Sequence, residues 1–304
     1  MKIAFLFVGQ GSQKVGMGQS VYATYPSAQA LYDQCQLDFD VKSVCFEGPE
    51  ERLNDTAYTQ ACLLVTSLAI SEALRVEGIE AQGVAGLSLG EYSALTYANA
   101  LRLDAALRIV RQRGQLMSNA LAPGSSGMSA VLSDRRELIE QVLCDDHGGI
   151  VEIANFNSPQ QTVISGEWEA LKRAELALKA QGVARIIPLN VSGAFHTSLL
   201  TPASHQLAMI LGSEKVNPTQ IPVYFNVSGQ VESDISAALT AQICSSVQWV
   251  KTIQTMIGDG FDTFIEVGPG KTLTGLVRQI DPSVRVFSVE SAQSIANLKG
   301  ELHG

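Results

Sequence analysis

The stretch Gly86-Leu87-Ser88-Leu89-Gly90 constrains the fold more than any other in this chain. The apolar run Gly83-Val84-Ala85 precedes it, and the helix-prone run Glu91-Tyr92-Ser93-Ala94-Leu95-Thr96-Tyr97-Ala98 follows it. Strand, sharp turn and helix in that order predict a nucleophile elbow. Such a turn forces its central residue into strained backbone geometry. Glycines two positions to either side leave room for the bend and for a substrate. Ser88 would then sit at a helix N-terminus, where free backbone N–H groups favour a developing negative charge. The same pattern also fits a plain strand-to-helix turn whose serine only caps the helix.

The segments around the elbow alternate between strand and helix patterns. Residues 3–8 are apolar and β-prone. Helical patterns cover about 20–36, 60–77 and 104–120, with Leu63, Leu64, Leu68 and Leu74 at helical spacing in the second. Alternation of this kind predicts an α/β fold with a mostly parallel sheet between helices. The pattern changes at Pro123-Gly124-Ser125-Ser126-Gly127, a stretch suited to a hinge. A strand (128–132), a helix (134–145), two strands (150–156, 161–165), a helix (167–181) and a strand (183–191) follow. That β-α-β-β-α-β order is ferredoxin-like. It predicts a small subdomain over residues 126–192, inserted between the parts 1–125 and 193–304 of a larger domain. After Ser192-Gly193 the α/β alternation resumes, with strands at 222–227 and 262–267 and a helix near 235–244.

Composition narrows the function. Of 304 residues, 46% are hydrophobic and 17% charged, which gives ample material for a core. A net charge of −9 with no basic run argues against a nucleic-acid partner. Cys35, Cys45, Cys62, Cys144 and Cys244 are scattered and contain no C-x-x-C pair. With four dispersed histidines they offer no metal spacing, and reduced thiols in the cytoplasm are the expectation. The run Ile3–Val8 is too short for a signal-peptide core. No stretch is expected to be long and apolar enough to span a bilayer.

An activated serine needs a base within hydrogen-bond reach. His147 lies in a polar turn of the insert and is expected to face solvent; His303 is in the tail, and His205 is in a helical segment (202–211). His196 lies in Ser192-Gly193-Ala194-Phe195-His196-Thr197, where the chain re-enters the large domain, a position that favours function. A structural histidine is the competing account of it. No acidic residue between Ser88 and His196 announces itself as a third triad member, so a Ser–His dyad oriented by a backbone carbonyl is the economical reading. The loop Gly9-Gln10-Gly11-Ser12-Gln13 follows the first strand; a backbone N–H there could complete an oxyanion hole with that of Leu89. It lacks G-x-G-x-x-G spacing, which removes a dinucleotide site. Arg108, Arg111 and Arg113 cluster on one helix. They read as a solvated basic face or, where one is buried, as a fork for a carboxylate.

Taken together these residues resemble the malonyl-CoA:acyl-carrier-protein transacylases and the related acyltransferase domains of polyketide synthases. The matching segments are Gly9-Gln10-Gly11-Ser12-Gln13, Gly86-x-Ser88-Leu89-Gly90-Glu91-Tyr92-Ser93-Ala94-Leu95, and Arg113-Gly114 with Met117. Further on come Asn155-x-Asn157-Ser158-Pro159-x-Gln161, Ser192-Gly193-Ala194-Phe195-His196, Val247-Gln248-Trp249 and Glu266-Val267-Gly268-Pro269-Gly270. They occur in family order over nearly the whole chain.

The resemblance implies an α/β-hydrolase-like core with a ferredoxin-like insert, and it implies roles. Ser88 is the acyl-accepting nucleophile and His196 its base. Gln10 and Leu89 supply oxyanion N–H groups, and Arg113 grips the malonyl carboxylate. The backbone carbonyl of Gln248 orients His196, and Leu87, Met117, Asn157 and Phe195 line the pocket. The substrates are malonyl-CoA and the phosphopantetheine thiol of acyl carrier protein, in fatty acid biosynthesis, with no metal or bound cofactor. Two departures stand out: Leu87 replaces a common histidine, and Val8 a common proline. Phe195 resembles malonyl-selective members, where a bulky ring crowds an α-methyl branch. A carrier protein is generally acidic, so docking calls for a basic patch from Lys172, Arg173, Lys179 and Arg185 or from the arginine helix. The competing readings are an acyltransferase acting in trans on a polyketide synthase, a serine hydrolase that clears carrier proteins, and a catalytically silent binder. A monomer is the default expectation.

Overall fold

A computed structural model describes residues 1–191 and 193–303. Among them the strands in chain order are β1 (Ile3–Phe7), β2 (Gly83–Gly86), β3 (Ser126–Leu132), β4 (Val151–Ser158), β5 (Gln161–Glu167), β6 (Arg185–Pro188), β7 (Val223–Tyr224), β8 (Thr263–Val267) and β9 (Arg285–Val289). Five of these form a parallel sheet in the order β7-β2-β1-β8-β9. Every residue of the central β1 is buried, because helices cover both faces of a parallel sheet. Its unbroken Ile-Ala-Phe-Leu-Phe run is the sequence signature of that position.

The helix Thr56–Val76 fills one side of this sheet. Over 18 of its residues the mean hydropathy reaches 1.2, so by length and composition it could cross a membrane. This corrects the expectation that no such stretch exists. The helix is nonetheless a core element: 83% of that window is packed inside the fold. It packs on the helices Pro26–Asp33, Gly90–Tyr97 and Leu103–Asn119.

The second sheet is antiparallel in the order β4-β5-β3-β6, the ferredoxin-like arrangement. The helices Arg136–Leu143 and Trp168–Ala180 enclose a separate core around Val131, Ile139, Ile164 and Leu171. Met128, Ala130, Ala154 and Val163 belong instead to the main core, so this sheet closes over the parallel one. Val247 stitches the two together: its N–H donates to Ala154 O at 2.8 Å and its carbonyl accepts from Phe156 N at 2.9 Å. Ser192, the expected last residue of the insert, lies outside the described residues.

Local chemistry moved some boundaries. The expected helix over 20–36 divides into Gln19–Thr24 and Pro26–Asp33, because Pro26 cannot continue a helix but readily begins one. The strand expected over 222–227 stops at Tyr224, where a tight turn begins. All five cysteines are free thiols.

Candidate active site

Ser88 has φ of +52°, the left-handed geometry an elbow demands of its central residue. The flanking glycines are steric necessities. A Cβ on Gly86 would lie 1.9 Å from Gly90 C, and one on Gly90 would lie 2.1 Å from Phe7 O. The loop after β1 comes equally close, since a Cβ on Gly9 would lie 2.6 Å from Leu87 O. Gln10 anchors that loop by donating from Nε2 to Thr56 Oγ1 at 2.8 Å. The backbone N–H groups of Gln10 and Leu89 have no acceptor among the described residues, and both residues line one cavity of about 460 Å³. Leu87, Met117, Asn157 and Phe195 also line it.

His196 meets Ser88 across 108 positions of sequence, with Nε2 2.8 Å from Oγ. Its Nδ1 lies 2.8 Å from the carbonyl oxygen of Gln242. A carbonyl can only accept, so Nδ1 carries the proton and Nε2 keeps a lone pair for the serine hydroxyl. Burial, with repulsion from Arg113, pushes the imidazole pKa down to about 4, so the ring is neutral at physiological pH and its Nε2 lone pair is free to accept.

The orienting carbonyl is that of Gln242, which corrects the expectation of Gln248. Gln242 ends the helix Ile235–Gln242, where carbonyls have no partner within the helix. Gln248 caps the next helix, Trp249–Gly258, and its carbonyl accepts from Thr252 N at 2.9 Å and Thr252 Oγ1 at 3.0 Å.

Arg113 is 1% exposed and reaches Ser88. Its Nη2 donates to Ser88 Oγ at 3.1 Å and to Gln242 Oε1 at 2.8 Å, and its Nη1 donates to Gln60 Oε1 at 2.9 Å. The guanidinium carbon lies 5.3 Å from the Tyr92 ring centre. These partners are all neutral, and Nε has none. Glu91 is the nearby acid, but burial raises its pKa to about 8, so it is largely protonated at pH 7. Burial likewise lowers the pKa of Arg113, which leaves a desolvated cation without an ion pair among the described residues, beside the Ser88 hydroxyl.

The other candidates separate cleanly. Arg108 pairs with Glu214 at 2.7 Å, and Arg111 with Asp38 at 2.7 Å, on the outer side of the helix. His147 is buried rather than solvent-facing, with Nε2 2.7 Å from Val142 O, where it satisfies a carbonyl near the end of the helix Arg136–Leu143. His205 is exposed. Glu266, in the last strand motif, accepts from Leu273 N at 3.0 Å and Thr274 N at 2.8 Å, so it serves the start of the helix Thr272–Ile280. Gln60 and Gln242 were not singled out in the sequence. Nothing in the sequence marks either: Gln60 shares its helix with Thr59, Thr66, Ser67 and Ser71, and Gln242 lies in an ordinary helical segment.

The chain matches the acyl transferase domain family over residues 4–304. It is 40% identical to the malonyl CoA-acyl carrier protein transacylase of Bacillus subtilis (strain 168), over 97% of this chain and 95% of that protein. The structure of the malonyl CoA-acyl carrier protein transacylase from Clostridium perfringens superposes with a TM-score of 0.97 at 38% identity, covering 100% of this chain and 98% of that one. A malonyl-transacylase solved in complex with its type II polyketide synthase acyl-carrier protein superposes with a TM-score of 0.96 at 35% identity, covering 99% and 100%. An elbow serine bonded to a neutral histidine, within a fold shared from end to end with these proteins, places the chain in the acyl transferase domain family.

Proposed function

We propose that the chain transfers a malonyl group from malonyl-CoA to the phosphopantetheine thiol of acyl carrier protein, through an ester on Ser88. The observation that carries this reading is Arg113, a buried guanidinium with no carboxylate partner among the described residues, 3.1 Å from the serine hydroxyl. A substrate with a free carboxylate supplies the missing charge through two parallel hydrogen bonds. His196 takes the Ser88 proton as Oγ bonds to the thioester carbon. The oxyanion forms against the N–H groups of Gln10 and Leu89. The C–S bond then breaks, and coenzyme A leaves with the proton from His196. The carrier thiol attacks the ester by the same route in reverse, which gives ping-pong kinetics.

Names of relatives support malonyl-CoA and acyl carrier protein as the substrate pair. Fatty acid synthesis in the cytoplasm, by a monomer, is the proposed setting. Polyketide assembly is the second reading, favoured by the neighbour solved with a polyketide carrier protein. For docking, the arginine helix commits Arg108 and Arg111 to acids, and Lys172 pairs with Glu169 at 3.1 Å. Arg173 donates to backbone carbonyls of His147 and Gly148. Lys179 and Arg185 of the insert are exposed without an ion pair among the described residues, and they are the proposed contacts for an acidic carrier.

The test is malonyl-CoA turnover with and without phosphopantetheinylated carrier protein. Transfer to the carrier, with slow malonate release in its absence, is expected. Fast release without an acceptor would make the protein a hydrolase. Relative kcat/KM for fatty acid and polyketide carriers separates the two pathways.

A further inference from the structure

The elbow is braced from behind by a residue that touches neither the base nor the cavity. Asn226 is fully buried in the turn after β7. That turn is closed by donation from Phe225 N to Gln230 O and from Gly229 N to Phe225 O, each at 2.8 Å. β7 pairs with β2 at Val84↔Val223 and Ala85↔Tyr224, and the ladder ends there as the elbow turns away. Past that last rung the carboxamide of Asn226 stands where a peptide group would. Its Oδ1 accepts from Ser88 N at 2.6 Å, and its Nδ2 donates to Gly86 O at 2.6 Å. The main chain of Asn226 is held in turn. Its N–H donates to Glu91 Oε2 at 2.7 Å, and its carbonyl accepts from Gln248 N at 2.7 Å.

From this bracing, and resting on the acyl-transfer reading above, we infer that Asn226 is the positioning residue of the nucleophile, bridging Gly86 and Ser88 so that the serine hydroxyl stays aimed at His196. A non-glycine residue keeps φ near +52° only where its surroundings over-determine it. Asn226 holds the N–H side of Ser88, while Gln242 Nε2 holds its carbonyl at 2.8 Å. With Ser88 N–H occupied, Leu89 N–H remains the elbow's free donor. Glu91 extends the brace into the first turn of the elbow helix.

The full chain carrying Asn226→Ala tests this with two reagents. Malonyl-CoA is followed by quenched intact mass; phenylmethylsulfonyl fluoride needs a poised hydroxyl but no carboxylate clamp. The expected result is an unchanged final fraction of modified sites, with a rate per site lower by on the order of 100-fold for both reagents and KM for malonyl-CoA within about threefold. Asn226→Ser is the gentler variant, expected to lose on the order of 10-fold, and it carries the test where Asn226→Ala does not fold. A parent-like rate per site in Asn226→Ser or in folded Asn226→Ala would overturn the inference. So would a reduced modifiable fraction whose remaining sites react at the parent rate, since that outcome describes mere structure. A parent protein that reacts with the sulfonyl fluoride in an Asn226-dependent way yet takes no malonyl group would sink the acyl-transfer reading and support the brace.

Discussion

Arg111 and Arg113 sit two positions apart on the helix Leu103–Asn119, about 200° around its axis, and so face opposite surroundings. Arg111 meets Asp38 with two nitrogens, at 2.9 and 2.7 Å, and lies over the rings of Phe39 and Tyr58. Its hydrogen bonds to Asp38 raise its pKa. Arg113 donates to two amides and a hydroxyl and lies against an aromatic face, and burial lowers its pKa. A paired arginine fastens structure, whereas an unpaired buried one is a standing demand for an anion. The helix thus has one face fastened by an ion pair and another turned to Ser88, and the difference lies in the partners, not in the residue type.

Mutations can break this contrast, beginning at the site that Arg113 faces. His196→Ala removes the base and is expected to slow acylation of Ser88 by on the order of 10⁴-fold, read by quenched-flow mass spectrometry. Arg113→Ala comes next. Loss of a charge-assisted carboxylate contact predicts a fall of roughly 10- to 100-fold in kcat/KM for malonyl-CoA, with better relative tolerance of acetyl-CoA. An unchanged malonyl preference would remove Arg113 from its role. On the other face, Arg111→Ala is expected to lower stability by about 2 kcal/mol in denaturant melts and leave kcat alone. Arg108→Ala, at a half-exposed pair with Glu214, should cost less than about 1 kcal/mol.

Acidity sharpens the same comparison. His196 holds a folded pKa of about 4, below its unfolded value, so the unfolded chain binds more protons between the two. Its contribution to stability is therefore lost as pH falls from about 6.5 to 4, and acylation should stay base-competent down to about pH 5. Glu91 has the opposite sign. Its folded pKa of about 8 lies above the unfolded value, so its contribution is present at low pH and fades as pH rises towards 8. Glu91→Gln should flatten the decline of Tm between pH 6.5 and 8. A decline of the parent's slope in that variant would contradict the assigned protonation.

What could be read from the sequence was local or carried by the ordered motifs. The elbow announced itself because two glycines and a serine must be close in sequence to make a turn. The ferredoxin-like order of the insert follows from local strand and helix patterns and from turn residues such as Pro123-Gly124 and Asn157-Ser158-Pro159. Gln242 stayed hidden because a carbonyl belongs to every residue, and only the end of the helix Ile235–Gln242 decides which one faces His196. Leucine spacing marks a helix over 60–77, but not that the helix Thr56–Val76 is buried nearly all round, since elements pack on it from several sides. The difference between Arg111 and Arg113 needed the positions of Asp38, Gln60 and Gln242, all remote in sequence.

The most direct test of the account is the intact mass of the protein after brief exposure to malonyl-CoA, followed by peptide mapping, for the parent and for Ser88→Ala. The account predicts one malonyl adduct on the parent, mapped to Ser88, and none on Ser88→Ala. An unmodified parent, or an adduct that survives Ser88→Ala, would contradict it.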